Sequence, residues 1–162
     1  MKTFKLFLAV AVLFLSAVAC LSSATDNATE VPPAPSEVPQ ATVVPTGSSG
    51  LIQLVTLAKK SDPVSAAPIE PSTVFDSQAV IHAVVAISNA PADTKFTAAW
   101  YVVDVGSASA PNTLITSTDL TADGTRDLDF TLTPTSAWPA GTYRVDISVN
   151  GQLDQSATYS VQ

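Results

Sequence analysis

Alternation of apolar and polar residues dominates the chain from about residue 51 to the C-terminus. Its clearest stretch begins at Thr142. Tyr143, Val145, Ile147 and Val149 fall on one face, and Arg144, Asp146 and Ser148 on the other. A period of two marks a half-buried strand, because successive side chains point to opposite faces. Asn150-Gly151 follows, and both residues tolerate the positive φ of a type I′ turn. The return strand puts Leu153, Gln155, Ala157, Tyr159 and Val161 on one side and Asp154, Ser156, Thr158 and Ser160 on the other. Leu153, Ala157, Tyr159 and Val161 form its expected inward set.

Upstream, residues 51–58 predict a first strand, with a short helix as the alternative. Lys59-Lys60-Ser61-Asp62-Pro63 predicts a turn with a solvated Lys pair. Residues 64–72 contain Pro68 and Pro71 and predict an irregular edge crossing, and 73–75 a brief strand. Residues 79–88 are apolar on both faces, as in a central strand, and carry the sole histidine, His82, on the less buried face. A turn is predicted at 89–93. Residues 95–104 form the next strand, with Phe96, Ala98, Trp100 and Val102 on one face. A small-residue loop spans 106–112. Strands follow at 114–120 and 126–132, separated by a turn at 122–125, with Leu128, Phe130 and Leu132 inward. Residues 133–140 make a corner in which Trp138 is read as a lid over the core, its N–H on a carbonyl. About seven strands at regular spacing predict an all-β fold, an antiparallel β-sandwich.

Three separated segments carry a resemblance. In immunoglobulin-like sandwiches a Tyr near the start of the penultimate strand bonds back across the preceding corner, and a Cys follows two residues later. Tyr143 and Val145 stand at those positions. Trp100 stands on the strand after the central one, where such domains place their core Trp, and Ala83 or Val85 takes the place of the first Cys. Residues 51–162 therefore resemble an immunoglobulin-like or fibronectin-III-like module without the inter-sheet disulfide. The resemblance implies an aliphatic-Trp-aliphatic core.

The N-terminus has a different character. Lys2 and Lys5 precede an apolar run at 6–15 and then small residues, the pattern of a secretory signal peptide over 1–19. The run is shorter than the ~20 residues of a membrane span. Ala17-Val18-Ala19-Cys20 is similar to the bacterial lipobox, with Ala17 where Leu is commonest. That resemblance implies lipid on Cys20 and a lipoprotein tethered to a membrane, in the cell envelope and facing outside the cytoplasm. Residues 20–50 hold Pro32, Pro33, Pro35, Pro39 and Pro45 among Ser, Thr and Ala, with no sustained period. They are read as a disordered linker whose coil averages roughly 30 Å end to end. The Asn27-Ala28-Thr29 sequon is given no role. The whole resembles small bacterial lipoproteins that carry one immunoglobulin-like module on a Pro/Thr-rich stalk.

Charge narrows the partners. Without Lys2 and Lys5, five Lys and Arg stand against fourteen Asp and Glu, a net charge of −9. With no basic cluster the chain is not expected to bind nucleic acid, where phosphate neutralisation supplies much of the affinity. Cys20 is the single cysteine, so no intrachain disulfide forms. No Gly-rich phosphate loop, Cys/His metal spacing or base-nucleophile pattern is present, and neither Ile81 nor Ala83 offers His82 an orienting acid. Asp119, Asp123, Asp127 and Asp129 cluster around Gly124 but lack calcium-loop spacing, and they are read as a solvated face. No catalytic residue, metal or cofactor is therefore assigned. The expected function is a non-enzymatic binding or adhesion module. Its partner would be an envelope protein or a polysaccharide, met through exposed edge strands or the 106–112 loop. Two alternatives stand: a protease inhibitor of similar fold presenting the 138–143 corner, and a structural accessory subunit of an envelope complex.

Overall fold

The structure, a computed structural model, describes residues 43–45 and 47–162. The signal segment, Cys20 and the Asn27 sequon lie outside the described residues. Among the described residues eight strands are present: β1 (Val43–Pro45), β2 (Ile52–Ser61), β3 (Pro68–Pro71), β4 (Val74–Phe75), β5 (Ile81–Asp104), β6 (Thr113–Leu132), β7 (Gly141–Val149) and β8 (Gln152–Val161). A single 3-10 turn, Gly106–Ala108, interrupts them among the described residues.

Strand β5 explains the architecture. Its first part, Ile81 to Ile87, pairs with β2 on one side and with the end of β6 on the other. Its second part, Phe96 to Asp104, pairs with β7 and with the start of β6. Between Ile87 and Thr94 β5 advances seven positions while β6 retreats four, from Arg126 to Ala122. The surplus residues form bulges, which bend a strand and raise its twist. Asn89, Asp93 and Gly124 have φ of 53°, 61° and 69° there, values that Asn, Asp and Gly tolerate. The stretches 89–93 and 122–125 are thus not the predicted turns. They are bends in two continuous strands, which pass together from one layer to the other.

The fold is an all-β immunoglobulin-like sandwich. One layer runs β3, β2, first part of β5, end of β6. The other runs start of β6, second part of β5, β7, β8. Counting β5 and β6 on each side of their bends gives seven long segments, matching the sequence count. β1 pairs with β8 at 155–157, and β4 pairs with it in parallel at 160–161, so both cover its outer edge. β1 lies upstream of residue 51, where the sequence pattern places the start of the sandwich. Pro45 sits in this edge strand, where a missing N–H is tolerated.

The inward stripes meet in one core. Ala83, Val85, Trp100 and Val145 are fully buried, and Trp100 lies opposite Val145 in the register. The aliphatic-Trp-aliphatic expectation therefore holds. Trp100, Phe75 and Tyr143 all pack on Tyr159, the first two edge-on and Tyr143 stacked at 5.4 Å. Trp138 is half-buried, packs edge-on to Tyr143 and donates its Nε1–H to Ala79 O at 3.1 Å, as a lid should.

Two local expectations are corrected. Lys59, Lys60 and Ser61 belong to β2, and Lys60 pairs with Glu70 across to β3. The turn begins only at Asp62, whose Oδ1 accepts from the amides of Val64 and Ser65. In β8, Leu153 is not inward. The register slips between Ile147–Gln155 and Ser148–Leu153, leaving Asp154 as the extra residue. This bulge puts Leu153 opposite Ser148 and buries Asp154, which is only 1% exposed.

Candidate ligand groove at the open edge

Among the described residues β6 pairs with β5 and with no other strand, so there it forms the edge of both layers along all 20 of its residues. An edge of this length is an invitation to strand addition, and charges and bulges are the usual protection. Both are found here. Asp119, Asp123, Arg126, Asp127 and Asp129 lie along β6.

These acids do not gather. Asp119 pairs with Lys95 at 2.6 Å and accepts from Thr97 Oγ1. The Lys95 hydrogen bond, then that of Thr97, holds its carboxyl below the usual range. Asp123 pairs with Arg126 at 2.7 Å, and Asp129 turns to His82. Among the described residues no three acidic, His or Cys side chains come together as metal ligands would.

The His82 surroundings show what a single strand cannot reveal. Asp129, across the sheet, places both carboxylate oxygens on His82 Nδ1, at 2.9 and 3.1 Å. His82 therefore does have an orienting acid, contrary to the expectation drawn from its chain neighbours. Ser61 Oγ donates to Asp129 Oδ2 at 2.6 Å, and Thr131 Oγ1 lies 3.4 Å from Nδ1. Both hydroxyls stand on the carboxylate side of the ring. A nucleophilic triad needs its hydroxyl on the other nitrogen, so this is a buttressed cross-strand pair.

Where the two halves of β6 diverge into separate layers, the sandwich stays open. A slot of about 360 Å³ lies there, lined by Thr116 and Thr118 from the first half and Thr131 and Leu132 from the second. Thr135 and Trp138 from the corner also line it. A bulge between Trp100 and Tyr101, with Ile115 as the extra residue, sets the facing of the first half. Thr116 then lies opposite Trp100 and Thr118 opposite Ala98. Both partners are fully buried inward residues, yet both threonines are exposed. Inner-face positions that would carry aliphatics in a closed sandwich carry hydroxyls at this edge. A strand at 114–120 was legible in the sequence; its facing depends on the bulge, and the open slot on the bend.

A second cavity, of about 370 Å³, lies at the other end, beside Ser48, Ser49, Asn150 and Asp154. Asp154 Oδ2 accepts the Ser49 amide at 2.5 Å, clasping the segment that enters β2. The 106–112 loop is largely exposed, with Asp104 Oδ1 accepting the Gly106 amide. Cys20 lies outside the described residues.

No protein-family model matches the chain, and a comparison with curated proteins found no match. Among solved structures, the alkylpurine DNA glycosylase AlkC of Pseudomonas fluorescens, bound to DNA containing an abasic-site analogue, matches 67% of this chain at 19% identity and a TM-score of 0.38. The match spans 30% of the glycosylase. A CARDB domain from Pyrococcus furiosus, in complex with di-metal ions, matches 72% of this chain at 14% identity and a TM-score of 0.41, over 92% of its own length.

Proposed function

We propose that this chain is a non-enzymatic binding module displayed on the outer side of a cell envelope, with lipid on Cys20 as its anchor. The observation that carries the binding reading is the length of β6 that no other described strand covers on its outer side, with an open slot along its inner side. The opposite edge, at β8, is covered by β1 and β4. Exposed strand edges and the clefts beside them are established docking sites for partners. The anchor rests on Lys2, Lys5, the apolar run and the Ala17-Val18-Ala19-Cys20 motif.

The inhibitor alternative has less support. It needs a projecting loop at 138–143, and Trp138 is tied to Ser77 O through its backbone and to Ala79 O through its ring. An accessory-subunit role would use the same edge and is a special case of binding.

The test is affinity capture from detergent extracts of the native envelope. The wild-type chain is compared with a Leu114→Lys/Ser117→Lys variant, which adds charge to the open edge. Capture of a component by wild type and its loss in the variant is the expected result. Identical captures from both would sink the edge as the binding site. Labelling with palmitate, compared between wild type and Cys20→Ser, tests the anchor separately.

A further inference from the structure

We infer that the slot between the two halves of β6 binds a neutral, polyhydroxylated ligand, a hexose unit of a polysaccharide. The inference deepens the binding reading above and rests on it. Three independent features point to this chemistry.

The first is charge. The chain is acidic, and four Asp lie on β6 itself, yet among the described residues no Lys, Arg, His, Asp or Glu lines the slot. A charged ligand would meet no counter-charge, and a neutral one meets no desolvated charge to oppose it.

The second is hydrogen-bonding capacity. Among the described residues the hydroxyls of Thr116, Thr118, Thr133 and Thr135 make no hydrogen bond to the protein, and all four residues are exposed. Each hydroxyl both donates and accepts, which is what an array of sugar hydroxyls requires. Thr and Val have the same branched shape, so packing alone does not call for hydroxyls opposite Trp100 and Ala98.

The third is the platform. Trp138 lines the slot, and its ring is held before any ligand arrives by the Ala79 hydrogen bond and the edge-on contact with Tyr143. A fixed aromatic surface beside polar groups binds amphipathic ligands at low ordering cost. A volume of about 360 Å³ lies within the usual range of small-ligand pockets.

The experiment uses the two tryptophans as internal probe and control. Their indole N–H signals are followed by nuclear magnetic resonance of the purified chain during titration with glucose, mannose, N-acetylglucosamine and a tetrasaccharide of each. Saturable movement of the Trp138 signal with an unmoved Trp100 signal is expected, at about 1–10 mM for the monosaccharide. Thr116→Val/Thr118→Val should weaken the response at least tenfold while the melting temperature holds, and Thr116→Ser/Thr118→Ser should retain it. No Trp138 response to any sugar, or an unchanged response in the Val variant, overturns the inference. Capture of a protein that depends on the β6 edge, with Trp138 silent to every sugar, leaves the binding module standing and removes its sugar ligand.

Discussion

The Tyr143 hydroxyl donates to the carbonyl of Pro139, four residues back, at 2.7 Å. This bond closes the corner that leads into β7 and fixes how the last hairpin enters the second layer. It is the corner that the resemblance to immunoglobulin-like modules implied at Tyr143. Tyr143→Phe leaves the ring and its stack on Tyr159 but deletes the bond. The expected loss is about 1–2 kcal/mol, read as a lower urea midpoint with an unchanged slope. An unchanged midpoint would show that the bond does not hold the corner.

Gly141 explains why the corner reads Gly-Thr-Tyr. Its φ is +153°, and a Cβ there would collide with the Asp104 carbonyl oxygen and the Val105 backbone. Neither backbone contact can yield as a flexible side chain would. Gly141→Ala should therefore destabilise the domain by more than the ~1 kcal/mol ordinarily tied to glycine exchange, seen as a fall in melting temperature.

Trp100 is fully buried at the centre of the second layer. Trp100→Ala removes the largest core side chain and should cost about 3–5 kcal/mol. That is a large share of a typical 5–15 kcal/mol total in a domain with no disulfide. Thermal unfolding close to wild type would mean that the core is organised around other side chains.

Stability should form a plateau against pH. Asp62 is held below its ordinary 3.8 by the backbone N–H groups of Ser65 and Val64. Glu70 is held below its ordinary 4.5 by the Lys60 hydrogen bond, and Asp119 is lowered likewise by Lys95 and Thr97. Folded values below unfolded ones give stability that is present above about pH 4.5 and lost as pH falls through the lowered values. These groups are solvent-exposed, so the effect is small. Burial raises Tyr143 and Tyr159 above their ordinary 10.0. Their contribution is complete below pH 10 and declines as pH rises beyond it. Melting temperature should hold between about pH 5 and 9 and fall on both sides.

The Asp154 clasp gives a local prediction. Asp154→Ala removes the acceptor of the Ser49 amide, so hydrogen exchange at Ser49 should accelerate while the amides of β7 stay protected. Exchange at Ser49 equal to wild type would place its protection elsewhere.

Strand facing was legible wherever alternation was unbroken, as in 81–87, 96–102 and 143–149. Asn150-Gly151 was legible because both turn residues take positive φ, 50° and 84°. The failures share one cause. Asn89, Asp93 and Gly124 also take positive φ, but in bends rather than turns, and local sequence does not say whether the strands on either side remain joined. Asp154 looked outward because strict alternation was carried through a bulge. His82 looked unsupported because Asp129 is its neighbour only across the sheet. The open slot was hidden for the first of these reasons, since it exists only where β5 and β6 bend together.

Hydrogen–deuterium exchange along β6 tests the open edge most directly. In an edge strand about every second amide points away from its single partner. Alternate amides between Thr113 and Leu132 should exchange quickly, while the paired amides of β5 and β7 stay slow. Continuous slow exchange through all of β6 would show that this edge is already covered, and the binding account would fall with it.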